Sequence, residues 1–251
     1  MQRYFIELSY AGTNYHGWQI QPNAITVQEL LNKALSTLLR QPVETIGCGR
    51  TDTGVHATQY FAHFDMNIMD HRPWTMDKKR LNALLPYDIA VKRIFEVHPD
   101  AHSRFDAVKR SYEYHIHFHK DPFLHNRSWL LRDMPNLQLM NQAAAMIMQY
   151  SDFSSFSKSN TQVKTNNCKI VNAEWQQTST GIVFKISADR FLRNMVRAIV
   201  GTLMMVGRKE IGPEDVRTII ESKKRSNAGT SVPACGLYLT EVVYETLNTK
   251  S

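Results

Sequence analysis

The sequence predicts an α+β protein in which the element order β-α-β-β-α-β occurs twice. Stretches of alternating apolar and polar residues indicate strands, and apolar residues spaced three and four apart indicate amphipathic helices. Both patterns recur in the same order in the two halves of the 251-residue chain. Hydrophobic residues make up 43% and charged residues 21% of the chain, which is typical of a globular protein with a buried core.

The first hundred residues contain six predicted elements. Alternation predicts a strand over Arg3–Tyr10. A helix is predicted over Thr26–Leu39, because its apolar residues share one face and Thr26 forms a capping box with Glu29. The other elements are a strand over 43–48, a strand over 58–64, a helix over 76–85 that ends before Pro86, and a strand over 89–97.

The second half repeats this order. Its elements are a strand over 109–118, a helix over 137–150, strands over 168–177 and 182–188, helices over 191–206 and 213–222, and a strand over 237–244. Gly207 is predicted to end the long helix as its C′ residue, and Pro213 is predicted to begin the short one. Residues 154–167, rich in Ser, Thr, Asn and Lys, are predicted to form a loop.

Two copies of this order predict two ferredoxin-like halves, residues 1–104 and residues 105–251. Edge strands of two such sheets can join, so we expect one mostly antiparallel sheet with helices on one side and a central cleft. The net charge is +7, and a chain this basic often binds a polyanion, because neutralising phosphates releases condensed counterions. The charge therefore supports a nucleic acid as the partner of this cleft.

Three further features limit where the protein works. The chain contains no run of about 18 apolar residues, so we expect no membrane span. The first residues, Met1–Glu7, have the pattern of a strand and not of a signal peptide, which favours the cytoplasm. The cysteines are far apart and lack metal-ligand spacing, so we expect free thiols at Cys48, Cys168 and Cys235.

The segment Gly47–Ala57 has the composition of a functional loop. Between two apolar strands it holds three glycines, two threonines, one arginine and one carboxylate, that of Asp52. Glycine permits unusual dihedral angles and the close approach of a ligand. From residue types alone, however, the favoured interpretation is that Asp52 caps its own backbone in a tight turn.

The residues Gly49–Ala57 read G-R-T-D-T-G-V-H-A and closely resemble the signature loop, G-R-T-D-x-G-V-H-A, of the TruA-type pseudouridine synthases. Four other segments are similar to motifs of the same family and occur in the same order, over 10–21, 105–114, 191–197 and 236–239. The resemblance thus extends along the whole chain.

This resemblance implies an isomerase that detaches uridine from its ribose at N1, rotates the base and rejoins it through C5. No metal, redox or nucleotide cofactor is needed. A carboxylate must act as nucleophile or base at the sugar, and the motif gives this role to Asp52. The family also implies tRNA as the partner, uridines at positions 38, 39 and 40 of the anticodon stem-loop as targets, and a homodimer.

The resemblance assigns three substrate-binding residues as well. Arg197 is expected to pair with Asp52, because a nearby cation favours the ionised carboxylate when bound RNA excludes water. Arg50 is expected to contact the RNA backbone or help hold the flipped base, and Tyr112 to stack on that base. Without the motif, Arg197 could be a surface cation of a helix and Tyr112 a core residue of its strand.

The strand that carries Tyr112 has a second, polar face, formed by Glu113, His115, His117 and His119. Histidines two apart on a strand can bind zinc. No cysteine or acidic cluster accompanies them, so we expect no metal. We expect instead a hydrated strand surface that can face RNA.

Two alternatives remain open from the sequence. Paired RRM domains also consist of two ferredoxin-like units, but the chain lacks the Lys/Arg-Gly-Phe-Gly-Phe-type run of their RNP motifs. A non-catalytic RNA-binding module would also have no need of Asp52 in a glycine-rich loop. A pseudouridine synthase that acts on other RNA positions would have the same catalytic motifs, and nothing in them excludes it.

Overall fold

The computed structural model describes residues 1–66, 77–158 and 165–245, which form nine strands and five α-helices. In chain order these are β1 (Gln2–Tyr10), α1 (Val27–Leu39), β2 (Ile46–Gly47), β3 (His56–Met66), α2 (Lys78–Leu84), β4 (Ile89–Val97), β5 (Ala107–His117), β6 (Trp129–Leu130), α3 (Leu137–Ile147), β7 (Ile170–Gln177), β8 (Gly181–Ala188), α4 (Met195–Gly207), α5 (Asp215–Glu221) and β9 (Leu237–Tyr244).

The chain divides into two compact units. The first unit comprises residues 1–108 with 239–251, and the second comprises residues 109–238. Compared with the predicted halves, 1–104 and 105–251, the main difference is that most of the last strand groups with the first unit.

In the first unit the strands lie in the order β4-β1-β3-β9, and β2 also pairs with β3. β1 runs antiparallel to both β3 and β4, and β2 runs antiparallel to β3. Neighbouring residues of a strand face opposite sides of the sheet. The middle of β1 is buried on both sides, since neither Phe5 on one side nor Ile6 and Leu8 on the other has exposed surface.

Helix α1 begins where the sequence predicts. Thr26 is its N-cap, and the Thr26 hydroxyl accepts a hydrogen bond from the N–H of Glu29 at 3.4 Å. The apolar face of the helix is buried, and it includes Val27, Leu31, Ala34, Leu35 and Leu39.

The strand predicted over 43–48 is reduced to the two residues of β2. Side chains of α1 take up backbone groups that a longer strand would pair with a neighbour. Asn32 accepts from the N–H of Thr45 at 3.0 Å, and Gln28 donates to the carbonyl of Thr45 at 2.6 Å. An apolar pattern cannot reveal this competition, because it says nothing about where the hydrogen-bond partners lie.

In the second unit the strand order is β5-β8-β7, with antiparallel pairs, and β6 pairs parallel with β5. α4 is buried on almost every side. α3 buries the face formed by Met140, Ala143, Ala144 and Ile147. The sequence did not predict β6, because two paired residues are too few to show alternation.

Helix α4 differs from its prediction at both ends. It begins four residues late, since Asn194 adopts a left-handed conformation with φ of 65° immediately before it. Gly207 is the last helical residue and not the predicted C′ residue; the left-handed residue beyond the helix is Lys209, with φ of 60°. Gly207 is needed for packing instead, because a Cβ there would lie 2.5 Å from the sulfur of Met140.

The outer strands β4 and β7 each receive an asparagine from a helix. Asn82 of α2 accepts from the N–H of Val91 at 2.7 Å and donates to the carbonyl of the same residue at 2.9 Å. Asn141 of α3 binds Trp175 in the same way, at 2.7 and 3.0 Å. One side-chain amide therefore satisfies both backbone groups of an edge residue.

The α+β class and the mostly antiparallel pairing are thus confirmed, whereas the ferredoxin-like halves and the central cleft remain predictions. Parts of the predicted helix 76–85 and loop 154–167 lie outside the described residues. Among the described residues, no helix is long and apolar enough to cross a membrane. The cysteines are free thiols, as predicted, and burial raises the pKa of the Cys168 thiol to about 12.

His63 is a titratable residue within the first unit, in the middle of β3. Its imidazole is 2% exposed, and its Nδ1 accepts from the N–H of Ser103 at 3.2 Å. Burial, together with the smaller effect of the nearby charges of Arg3 and His102, lowers the pKa of His63 to about 4. The folded protein therefore holds this ring neutral at pH values where the unfolded chain protonates it.

We predict that this residue makes stability depend on pH. Since its folded pKa lies below its unfolded value of 6.5, the stability it contributes is present above pH 6.5 and is lost as the pH falls towards 4. His63→Gln should remove up to about 1.4 kcal/mol per pH unit from the slope of unfolding free energy near pH 5. Denaturant titrations at several pH values measure how the unfolding free energy of the wild type and of the variant depends on pH. Equal slopes for the two proteins near pH 5 would contradict the prediction.

Candidate active site

The residues of the signature motif that precede β3 form a loop in the first unit. We call residues 48–55 the Asp52 loop. The N–H of Val55 donates to the carbonyl of Asp52 at 3.1 Å, which closes a four-residue turn. Gly54 occupies the third position of this turn with φ of 80°, a conformation that glycine adopts without strain. The side chain of Asp52 is half-buried at the start of the turn, and that of Arg50 is exposed.

A second stretch of the first unit lies directly against this loop. We call residues 11–18 the anchor segment; it belongs to the first of the family-like motifs. The N–H of Gly54 donates to the carbonyl of Tyr15 at 3.2 Å, and the N–H of Trp18 donates to the carbonyl of Thr51 at 3.3 Å. Beyond the anchor segment, the hydroxyls of Tyr10 and Thr51 are 2.9 Å apart. The two motifs are therefore joined by backbone and side-chain hydrogen bonds on both sides of Asp52.

Two glycines of the anchor segment permit this contact. A Cβ at Gly12 would lie 1.9 Å from the carbonyl oxygen of Val55, and a Cβ at Gly17 would lie 2.3 Å from that of Thr51. Gly17 also has a φ of 85°, which other residues rarely adopt. Any side chain at either position would push the Asp52 loop away.

An aromatic cluster lies beneath the start of the loop. The rings of Trp18 and Tyr60 stack with centroids 4.2 Å apart, and Tyr10 lies 5.6 Å from Tyr60. The Tyr60 hydroxyl donates to the carbonyl of Gly49 at 2.5 Å. Since these rings are buried, they give the Asp52 loop a rigid base.

His56, the last polar residue of the signature motif, has a structural contact in this site. It is 1% exposed, and its Nδ1 accepts from the N–H of Gly12 at 3.0 Å. This bond fixes a neutral ring, because a protonated Nδ1 could not accept. The motif marks His56 as important, but the residue types alone gave no indication that its partner is the backbone of the anchor segment.

Tyr112 lies in the second unit, on β5 and opposite Ile186 of β8. Its face of the strand is not uniformly buried. Tyr114 and Ile116 are core residues, whereas Tyr112 is half-buried and meets Phe191 edge-on with ring centroids 5.0 Å apart. Tyr112 is therefore less enclosed than its neighbours on the same face.

Arg197 also lies in the second unit, on the first turns of α4. It is half-buried, and its Nε donates to the carbonyl of Val232 at 2.7 Å, so it is not simply a solvated surface cation. The loop that contains Val232 is itself held by side chains: Arg225 donates to the Ser231 hydroxyl at 2.9 Å, and Asn194 does so at 2.5 Å. The orientation of the Arg197 guanidinium is thus fixed by its own Nε bond.

The polar face of β5 differs from its prediction at one position. His117 is 4% exposed, so the face is not hydrated along its whole length. Glu113 and His115 are half-buried, and His119 is exposed. Nε2 of His115 lies 3.0 Å from the Glu113 carboxylate, and this hydrogen bond lowers the pKa of Glu113. The described residues contain no group of three or more side chains that could hold a metal ion.

Comparison with known proteins extends these observations. A family profile described as tRNA pseudouridine synthase matches residues 145–245. The tRNA pseudouridine synthase A of Bacteroides fragilis is 53% identical over 97% of this chain and 97% of that protein. The enzyme of the same name from Bacteroides thetaiotaomicron is 54% identical over 97% and 91% of the two chains. That from Clostridium acetobutylicum is 39% identical over 97% and 100%.

The contact between the two glycine-bearing segments leads to a stability prediction. Gly17→Ala should lower the free energy of unfolding by about 1–3 kcal/mol, since it combines an unfavourable φ with a clash against the Thr51 carbonyl. Gly49→Ala is the matched control, because no atom lies within 4 Å of a Cβ built there. Denaturant unfolding measures both effects, and equal stabilities for the two variants would show that the close contact is unimportant.

Proposed function

Because this chain belongs to the tRNA pseudouridine synthase A family, and is therefore an isomerase that forms pseudouridine in tRNA, we propose that its targets are uridines 38, 39 and 40 of the anticodon stem-loop. We further propose Asp52 as its nucleophile. In the reaction the bond from ribose C1′ to N1 of uracil breaks, and a bond from C1′ to C5 forms. The proton on C5 leaves to solvent, and N1 gains a proton, so the product is an isomer of the substrate.

The placement of Asp52 is the observation that supports this role best. A nucleophile must be presented to the ribose while its backbone stays fixed, since misplacement by about 1 Å can cost about a hundredfold in rate. The backbone of Asp52 closes a turn, and Thr51 and Gly54, before and after it in the loop, bind the anchor segment. The half-buried carboxylate is thus carried by a rigid support and remains within reach of a ligand.

Three further side chains receive proposed roles from their positions in the family-like motifs. Arg50, exposed and two residues before Asp52, is suited to a phosphate of the RNA backbone or to the flipped base. Arg197 supplies the positive charge that keeps Asp52 ionised. Tyr112 supplies a ring face for the extruded uracil, and its partial burial leaves more of that ring accessible than the core rings beside it.

The same proposal implies a partner, a cellular compartment and an oligomeric state. A chain of net charge +7 is attracted to the phosphates of a tRNA stem. We propose that the enzyme acts in the cytoplasm as a homodimer, in which one tRNA contacts both subunits. Mapping pseudouridine in tRNA from cells that lack the enzyme tests the proposed positions, because loss of the modification outside 38–40 would point to a different target.

The first functional prediction concerns Asp52. Asp52→Asn should leave tRNA affinity within a few-fold of wild type, because most affinity comes from phosphate contacts elsewhere. Release of tritium from the C5 position of uridine in tRNA should fall below about a thousandth of the wild-type rate. Asp100→Asn is the matched control, because it removes the same single negative charge from a side chain that is 91% exposed. This variant should behave as wild type. Substantial turnover by Asp52→Asn would exclude a nucleophile or base role.

The second functional prediction concerns Arg197. Replacing it with Met should reduce single-turnover isomerisation by about a hundredfold, as expected for removal of a charge that stabilises reacting groups. Arg197→Lys should retain an intermediate rate, since a point charge remains while the Nε bond to Val232 is lost. Arg208→Met, at the end of the same helix and exposed, is the control for loss of one arginine. A near-wild-type rate for Arg197→Met would transfer the proposed role to Arg50.

A further inference from the structure

Asp88 lies immediately before β4, outside every motif discussed above, and it holds the anchor segment in three ways. Its carboxylate accepts a short hydrogen bond from the Tyr15 hydroxyl through Oδ1. Its Oδ2 accepts from the side-chain amide of Asn14 at 3.0 Å, and its backbone carbonyl accepts from the N–H of Ala11 at 2.9 Å. Two side chains and one backbone group of the same short segment therefore converge on one residue.

The residues that Asp88 holds are close neighbours of those that bind the Asp52 loop. Tyr15 receives the N–H of Gly54 on its own carbonyl, at 3.2 Å, while its hydroxyl binds Asp88. Gly12 is the residue after Ala11, and it donates to His56 and packs against the carbonyl of Val55. A continuous chain of hydrogen bonds thus runs from Asp88 through the anchor segment to the turn that begins at Asp52.

We propose that Asp88 is a positioning residue of the isomerase, which fixes the anchor segment through Tyr15, Asn14 and Ala11 and thereby holds the Asp52 loop in its reactive geometry. This inference rests on the proposed role of Asp52. Asp88 acts on the rate by way of the anchor segment, through the orientation of Asp52.

The loop needs such support because regular strand pairing does not extend along it. β2 ends at Gly47 and β3 begins at His56, so the ladder between these strands does not include the eight intervening residues. The support itself is firm. The Tyr15 side chain is 4% exposed, and burial together with the Asp88 carboxylate raises the pKa of its hydroxyl, which therefore stays a hydrogen-bond donor. Hydrogen bonds to an ionised acceptor are stronger than neutral ones.

The test compares Asp88→Ala, Asp88→Asn and Tyr15→Phe in the full-length chain. The readout is the single-turnover rate constant with excess enzyme and tRNA tritiated at C5, together with tRNA affinity and thermal melting. Asp88→Ala should slow the reaction about tenfold to a hundredfold with affinity within about twofold of wild type, because misplacement affects the reacting groups and not the phosphate contacts. Tyr15→Phe, which loses one of the side-chain bonds, should slow it about tenfold.

Asp88→Asn provides a conservative rescue. Its amide oxygen still accepts from Tyr15, and a flip of the Asn14 amide restores the second bond. We expect a rate constant within about threefold of wild type, since both bonds are restored without the charge. The double variant Tyr15→Phe/Asp88→Ala should be no slower than Asp88→Ala alone, because both changes break the same bond.

Tyr150→Phe is the matched control. The Tyr150 hydroxyl donates to the Glu221 carboxylate at 2.7 Å, so the variant removes the same kind of bond from a place in the second unit with no proposed catalytic role. It should keep the wild-type rate constant. If every Asp88 and Tyr15 variant merely lowered the fraction of active enzyme, the amplitude would fall at an unchanged rate constant, and the inference would be overturned.

The two proposals fail separately. Activity in Asp52→Asn would overturn the proposed function whatever the Asp88 variants do. An inactive Asp52→Asn combined with wild-type rate constants for Asp88→Ala and Tyr15→Phe would overturn the positioning role alone. Should Asp88→Ala fail to fold, Tyr15→Phe decides: a slowed reaction in a folded protein supports the inference, and an unchanged rate constant refutes it.

Discussion

The site in the first unit depends on the contact between two stretches of backbone that have no side chain between them. Gly12 and Gly17 bring the anchor segment so close to the Asp52 loop that carbonyl oxygens of Val55 and Thr51 occupy the space of absent Cβ atoms. Only at this distance can peptide groups of the two segments bond to each other directly. This close approach fixes the position of Asp52. It also accounts for the burial of His56 and for the position of the aromatic cluster beneath the loop.

In the second unit, backbone also packs directly on backbone beside Arg197, the residue proposed to pair with Asp52. A Cβ at Gly201 of α4 would lie 1.9 Å from the carbonyl oxygen of Thr230, and Gly229 donates its N–H to the Thr202 hydroxyl at 2.8 Å. The loop that includes Val232 therefore lies directly on the helix, where its carbonyl meets Arg197. In both units, two backbone segments that pack directly on each other fix the position of a side chain that the family-like motifs mark as functional. Rigid support of this kind reduces the reorganisation needed when a substrate binds.

Local periodicity was sufficient to predict most elements of the fold, because a buried helix face or strand is a property of a short stretch of sequence. Predictions failed where a distant partner decided the outcome. Side chains of α1 shorten the strand predicted over 43–48, and a Cβ at Gly207, the predicted C′ residue, would meet Met140. At the site, the resemblance to the family's signature loop pointed to Asp52, whereas residue types alone favoured a capping role, and Asp88 was missed. Its side-chain partners lie 73 and 74 residues earlier in the chain, and no nearby residue pattern reports them.

The asparagines at the two outer strands have a consequence for the behaviour of the protein in a crowded solution. An outer strand normally presents unpaired peptide groups, onto which a strand of another molecule can add and start a growing assembly. At Val91 of β4 and Trp175 of β7, those groups already bind the amides of Asn82 and Asn141. An incoming strand would have to displace both bonds of each amide before it could pair there. The two helices thus oppose the addition of a foreign strand at these two residues.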